Sequence, residues 1–565
     1  MTGDNRVNIE TIPTGVPGLD AILGGGIPKL SFNVLVGGPG AGKSTLGFQM
    51  AFAMATRERP AICFTVLGEP TVKLLRYQQQ YTFFDLERVG VDVHVLNLSD
   101  EVIRGNGDMG PVLDRIALEV ATLRPGMVMI DSFRSLARTR IVTGQYEAGV
   151  GYERFMQLLA HQLSTWEVTA FLIGEYDSAD LAEPLFTVAD GILLLKQQVE
   201  RNSSMRWIQA VKQRGAQVMA GVHSMRITRE GVRAFPRLVP GRTTLPRQTH
   251  RISTGVSELD AMMGGGLVAG DSLVVTGPSG IGKSAFGMEF LAAADRRGES
   301  AVGVMFEEDA TAFLARAESL GRDLRPMSES GRLAVVELGP LDLTVDETLH
   351  EIQDAIVRTG ASCVVVDSLS GFELALAPSF RLDFRESIYR LVRALTSTGV
   401  TVMMTVEVVE AGEEVRAPTR QLSFLADDIL TLRHMEVRGE ARSVLSVVKM
   451  RKSRHSRLIR EFEITREGIR IGRALREYDN ILVRSPHRRE AVALPQAALD
   501  EEEWEVWQRL VRGVRMTAAS LAEALALPLD AVQAALARMV AHGLAEVTST
   551  DEGEVFRAIA QPALS

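Results

Sequence analysis

Two stretches of this 565-residue chain carry the spacing G-x-x-x-x-G-K-S: Gly37-Gly38-Pro39-Gly40-Ala41-Gly42-Lys43-Ser44 and Gly277-Pro278-Ser279-Gly280-Ile281-Gly282-Lys283-Ser284. That spacing suits a polyphosphate. Glycines let the backbone turn tightly enough for several N–H groups to face one concavity. The following helix, from about Thr45 in the first copy, adds the positive end of its dipole. Lys43 and Lys283 have the reach to meet β- and γ-phosphates, and the Ser44 and Ser284 hydroxyls can ligate Mg2+. A glycine-rich turn without a ligand is the plain alternative, and the flanks argue against it. Apolar runs, Phe32 to Val36 and Ser272 to Thr276, read as strands before the loops, and Leu46 to Ala55 reads as an amphipathic helix after the first.

Carboxylates come next. Met127 to Ile130 runs into Asp131-Ser132, and Cys363 to Val366 runs into Asp367-Ser368. An aspartate ending a strand is often only a cap. Downstream of a phosphate loop it reads as the acid that stands near Mg2+. In the second half Val302 to Phe306 leads into Glu307-Glu308, a pair that can hold a water in line with a γ-phosphate and accept its proton. Two solvated acids opening a helix is the other reading. In the first half Ala61 to Val66 leads into Leu67-Gly68-Glu69, so Glu69 fills that role only after a one-residue shift. The first site is therefore expected to bind nucleotide with altered hydrolysis.

A basic element closes each set. Lys449-Met450-Arg451 and Arg454-His455 follow the strand-like run Val444 to Val448. Lys212-Gln213-Arg214 stands at the matching place in the first half, with Val218 where His455 would fall. A charge run is usually a solvated face. Its recurrence in both halves suggests cations that reach a neighbouring subunit's phosphates, a device worth roughly 10³–10⁵ in rate where it operates.

These groups need a scaffold that sets strand ends beside phosphate loops. The chain supplies it twice. Thr14-Gly15-Val16, Leu19-Asp20 and Gly24-Gly25-Gly26 recur as Thr254-Gly255-Val256, Leu259-Asp260 and Gly264-Gly265-Gly266, and Ile227-Thr228-Arg229-Glu230-Gly231 recurs as Ile464-Thr465-Arg466-Glu467-Gly468. The repeat predicts one domain over about 8–243 and another over about 248–490, joined by a Pro- and Arg-rich linker, Pro236 to Arg247. Alternating strand and helix patterns predict an α/β fold in each half, with a mostly parallel sheet that binds ligands beyond its carboxyl edge.

The bulk properties set limits. With 62 Lys and Arg against 71 Asp and Glu the net charge is −9, which argues against a general nucleic-acid coat. Cys63 and Cys363 sit in apolar runs and read as core residues of a reducing compartment. The polar first ten residues carry no secretory pattern, and no apolar run is long enough to span a bilayer. A cytoplasmic protein without membrane contact is expected.

Taken together, the duplicated T-G-V…L-D…GGG entry, both phosphate loops, Glu307-Glu308, both Asp-Ser strand ends, Glu436-Val437-Arg438-Gly439-Glu440 and Lys449-Met450-Arg451…His455 resemble the KaiC family of tandem RecA-like P-loop ATPases. The resemblance covers most of the chain up to about residue 490. It implies two RecA-like domains in a ring, usually a hexamer, with ATP and Mg2+ between subunits. The ATP-binding set would be Gly37, Gly40, Gly42, Lys43, Ser44 and Thr45 in one half and Gly277, Gly280, Gly282, Lys283, Ser284 and Ala285 in the other. Ser44, Asp131, Ser284 and Asp367 would stand on the metal side, Glu307, Glu308 and Glu69 would be catalytic, and Lys212, Arg214, Lys449, Arg451 and His455 would touch ATP of the adjacent protomer. Family members also phosphorylate an adjacent Ser-Thr pair. Here Ser423 is followed by Phe424, which leaves single-site autophosphorylation or a plain strand-end hydroxyl.

Beyond about residue 490 the family pattern stops. Glu501 to Val511, with Trp504 and Trp507 inward, Thr517 to Leu525, and a third stretch from Pro528 to His542 read as helices. Leu544 to Val547 and Val555 to Ala558 read as a hairpin, which makes residues 500–560 a winged-helix-like domain. Acids outnumber bases there, and the third helix offers only Arg538 and His542. A protein partner is favoured over DNA, whose binding depends on phosphate neutralisation. Three functions follow: a timing or signalling ATPase with serine autokinase activity, a recombinase-like DNA-stimulated ATPase using Arg134, Arg138 and Arg140, or a scaffold glued by ATP.

Overall fold

The computed structural model describes residues 9–66, 71–105, 109–132, 157–159, 161–163, 165–176, 184–200, 203–237, 250–339, 343–381, 384–408, 426–437, 440–475, 478–479, 487–488, 505–507, 509–510, 516–525, 527–541, 545–550 and 553–558. The chain forms two compact units, one of Met1–His434 with Arg442–Ala474, the other of Met435–Ala441 with Leu475–Ser565.

The larger unit is built on two sheets. The first comprises β1 (Phe32–Gly37), β2 (Ala61–Thr65), β3 (Val93–Asn97), β4 (Met127–Asp131), β5 (Thr169–Gly174), β6 (Gly191–Glu200), β7 (Ser203–Gln213), β8 (His223–Thr228) and β9 (Gly231–Phe235). Their order is β9-β8-β7-β6-β1-β5-β4-β2-β3. Strands β3 through β6 in that row pair in parallel, and β6 to β9 pair antiparallel. The second sheet comprises β10 (Ser272–Gly277), β11 (Ala301–Met305), β12 (Leu333–Glu337), β13 (Cys363–Asp367), β14 (Thr401–Glu407), β15 (Asp428–Val437), β16 (Glu440–Met450), β17 (Arg460–Thr465) and β18 (Gly468–Ala474). Its order, β12-β11-β13-β14-β10-β15-β16-β17-β18, repeats the first strand for strand. The sequence repeat is a repeat of topology.

Central strands carry apolar side chains on both faces, as parallel sheets covered by helices must. Each sheet separates two clusters. One face of the first packs Val34, Val128 and Leu172, the other Leu35, Met129 and Ile173. Cys63 and Cys363 are buried free thiols, as read from their apolar runs, and burial pushes the Cys363 thiol up to about 11.

The two halves meet through charge. Arg226 on β8 grips Glu347 with Nε–Oε1 at 2.5 Å and Nη2–Oε2 at 2.9 Å. Arg233 on β9 forks between Glu351 at 2.7 Å and Asp354 at 2.6 Å. All three acids lie on the helix Val345–Thr359, which Thr344 caps by accepting from Glu347 N. The Thr344 hydroxyl also donates to Ser224 Oγ at 2.8 Å.

In the smaller unit, helices Ala518–Leu525 and Leu529–Ala541 pack Leu521, Val532, Leu536 and Met539 against Val506, Trp507 and Leu510. Thr517 caps the first of these by accepting from Ser520 N. Strands Ala545–Thr550 and Gly553–Ala558 form the antiparallel hairpin, and Met516–Thr517 adds a third strand beside the latter. The helix-and-wing pattern read from the sequence is present in these segments. Trp504 and His542 lie outside the described residues. Among the described residues no single helix is long and apolar enough to cross a membrane.

Candidate nucleotide sites

Both phosphate loops leave the carboxyl ends of central strands, β1 and β10, and enter helices Lys43–Met54 and Lys283–Arg296. The first helix begins at Lys43, two residues before the sequence reading. Gly42 ends the loop in a left-handed conformation, φ 99°, and Gly282 does the same at φ 101°. These two glycines are required twice over. A Cβ on Gly42 would lie 2.6 Å from Ile227 Cδ1, and one on Gly282 would lie 2.0 Å from Ile464 Cδ1.

The lysines curl over their loops. Lys43 Nζ donates to Gly38 O at 2.9 Å and Lys283 Nζ to Pro278 O at 2.8 Å. Burial pulls both ammonium groups below the usual lysine range. Nearby carboxylates oppose the effect, Glu175 and Asp131 for Lys43, and Glu407, Asp367 and Glu307 for Lys283.

Around the first loop, Ser44 Oγ donates to Asp131 Oδ2 at 2.5 Å. Burial raises the Asp131 carboxyl above its ordinary value, opposed by the Ser44 bond and Lys43. Around the second, Lys283, Ser284, Ala285, Gly280 and Gly282 line one cavity of about 620 Å³ with Glu307, Glu308, Asp367, Ser368 and Glu407. Glu307 Oε1 accepts from Ser368 Oγ at 3.2 Å. Asp367 Oδ1 accepts from Thr405 Oγ1 at 2.5 Å. The Asp131–Ser132 and Asp367–Ser368 peptide bonds are both cis.

Oxygen donors fit Mg2+. A hydroxyl and a carboxylate that already face each other, Ser44 and Asp131, are the kind of sparse set this ion takes when phosphates and water complete its shell. Among the described residues no group of three or more His, Cys, Asp or Glu side chains is placed to hold a metal ion.

The Lys-x-Arg pairs lie elsewhere. Gly191, which opens β6, pairs with Gln213, so Lys212 and Arg214 sit at the sheet edge opposite their own loop. Lys212 Nζ donates to Thr187 O at 2.9 Å, and Arg214 lies 3.3 Å from Asp190. In the second half Lys449 Nζ donates to Ala426 O at 2.6 Å, Arg451 lies 3.6 Å from Asp427, and His455 is half-buried. Neither pair reaches the phosphate loop of its own half. Glu69, Ser423, Phe424, Arg134, Arg138 and Arg140 lie outside the described residues.

Three groups escaped the sequence reading. Glu175 follows β5 directly, and Glu407 ends β14 opposite Gly277, so they hold equivalent places beside the two loops. The signal was available, since each is an acid at the end of an apolar run. Arg316, which also lines the second cavity, gave no signal in the sequence.

Two phosphate loops, each at the centre of a sheet of this order, make the chain a tandem RecA-like P-loop protein. The family model described as ATPase: KaiC matches it twice, over residues 12–239 and 252–476. The circadian clock oscillator protein KaiC of Prochlorococcus marinus is 28% identical over 497 residues, which span 86% of this chain and 97% of that protein. The protein of the same name from a Picosynechococcus species is 28% identical over 520 residues, 90% of this chain and 96% of its own length. KaiC 1 of a Synechocystis strain is 27% identical over 523 residues. The chain belongs to the KaiC family of ATPases.

Proposed function

We propose that the chain hydrolyses ATP at its second loop, binds ATP with weaker turnover at its first, and works as a self-associating timing or signalling ATPase. One observation carries this reading. Lys283, Ser284, Glu307, Glu308 and Asp367 converge on a single cavity large enough for a nucleotide's phosphates and sugar. Lys283 and the loop amides would hold the β- and γ-phosphates, while Glu307 and Glu308 lie where a carboxylate can orient water and take its proton. Bound Mg2+, held by Ser284 and Asp367 in one half and Ser44 and Asp131 in the other, would neutralise charge on the phosphate oxygens.

The placement of Lys212, Arg214, Lys449 and Arg451 away from their own loops supports a homo-hexameric ring in which each protomer completes its neighbour's site. His455 would join them. The clock relatives named above support the timing role. Ser423 would be a single autophosphorylation site, because Phe424 removes the adjacent hydroxyl. The acidic helix-and-wing unit would receive a regulatory protein, in the cytoplasm.

The test is phosphate release by the full chain with Mg-ATP, with phosphopeptide mapping on the same samples. Turnover should fall at least about 10²-fold in the double variant Glu307→Gln, Glu308→Gln. Turnover unchanged in that variant would sink the assignment, and turnover appearing only with single-stranded DNA would replace it with the recombinase-like reading.

A further inference from the structure

The described residues lining the second cavity include two cations, Lys283 and Arg316. The phosphate loop accounts for the lysine. Arg316 comes from the helix Ala310–Ser319, whose start is fixed by Asp309 accepting from Ala312 N at 2.7 Å. Its Nη2 is ion-paired with Glu308 and stands 3.5 Å from Asp367 Oδ2. Its Nε is buried and without a partner among the described residues. The guanidinium therefore bridges two carboxylates that would otherwise repel each other. Its charge is permanent, because arginine keeps its proton in proteins.

Among the described residues the first half shows no such bridge. The matching position in an ungapped overlay of the loops is Arg76, which is exposed and has no ion pair among the described residues. Asp131 is held there by the Ser44 hydroxyl instead.

We propose that Arg316 is a positioning residue that competes with the divalent cation at the second site. It holds Glu308 and Asp367 together in the nucleotide-free protein, and metal entry requires Asp367 to exchange the guanidinium for the ion. This rests on the reading of Asp367 as the metal-side carboxylate. A cation lodged between two acids does electrostatically what the ion would do, and the two cannot occupy one place. Loading of the second site is then gated by an internal charge with no counterpart among the described residues of the first.

The test uses the full-length, nucleotide-free protein titrated with Mn2+ alone and followed by electron paramagnetic resonance. Arg316→Ala should bind Mn2+ about tenfold more tightly than wild type, since a like charge is removed from within a few ångströms of the ion. Arg316→Lys, which keeps the charge, should remain near wild type. Adding Asp367→Asn to Arg316→Ala should erase the gain. Unchanged or weaker Mn2+ binding in Arg316→Ala, or equal gains in the alanine and lysine variants, would overturn the proposal. Failure of the ATPase reading would show differently, as no ATP retained by wild type. The titration needs no nucleotide, so it decides the role of Arg316 in either event.

Discussion

In the first half Ser44 and Asp131 face each other directly, hydroxyl to carboxylate, while in the second the equivalent Asp367 is held from two other sides, by Thr405 and by Arg316. The loops themselves are near copies, down to the lysine folded onto a loop carbonyl and the left-handed final glycine. What differs is the charge packed around them. The second cavity gathers Glu307, Glu308, Asp367 and Glu407 against Lys283 and Arg316. In sequence, an ungapped overlay of the two loops sets Leu67 and Gly68 at the positions of that glutamate pair. A cradle for phosphates can thus be duplicated nearly unchanged while the charges beside it differ.

The sharpest way to break this contrast is to remove each lysine in turn. Lys283→Ala should lower steady-state ATP turnover at least about 10²-fold, and Lys43→Ala less than about tenfold, if the second site carries hydrolysis. Equal losses would make the two sites functionally alike. A smaller effect is expected from the loop ends. Gly282→Ala and Gly42→Ala should each destabilise the fold by about 1–3 kcal/mol through strained backbone and collision with an isoleucine. The former should be worse because Ile464 stands closer than Ile227. Urea unfolding of the two variants would rank them.

A third test concerns a difference far from the phosphates. Where the first half has Gly191 opening β6, the second has Asp428 opening β15. Asp428 is 1% exposed, and its two carboxyl oxygens have no hydrogen-bond partner among the described residues. Burial, with Asp271 and Asp427 nearby, pushes its pKa up to about 7. A folded value above the unfolded one means that the stability it lends is complete at acid pH and lost as pH rises toward neutrality. Asp428→Asn should therefore be more stable than wild type at pH 8, with the gap closing as pH falls toward 4. A gap independent of pH would assign the effect to packing.

Much of the fold was legible because parallel sheets write themselves as apolar runs ending in acids. Asp131, Asp367, Glu307 and Glu308 all close or follow such runs. Glu175 and Glu407 obey the same rule and were passed over because no motif points to them. Arg316 was illegible for a different reason. Its meaning depends on a helix swinging it back over a strand end, and spacing alone does not encode that. The edge position of Lys212 and Lys449 likewise needed the strand order, which no local pattern states.

The duplicated Ile-Thr-Arg-Glu-Gly segment entered as a marker of repetition, yet it is the keel on which each cradle is laid. Ile227 and Ile464 press against the glycine where each loop becomes helix. Gly231 turns at φ +106° against Gln49 of the first loop's helix, whose Oε1 accepts from Val232 N, 183 residues further along the chain. Gly468 turns at φ +124° over the Arg322 and Glu289 side chains, which are bonded at 2.5 Å. A hairpin far along the chain is thereby moulded to each phosphate loop, and trimming Ile227 or Ile464 would slacken that grip while leaving each of its fingers in the sequence.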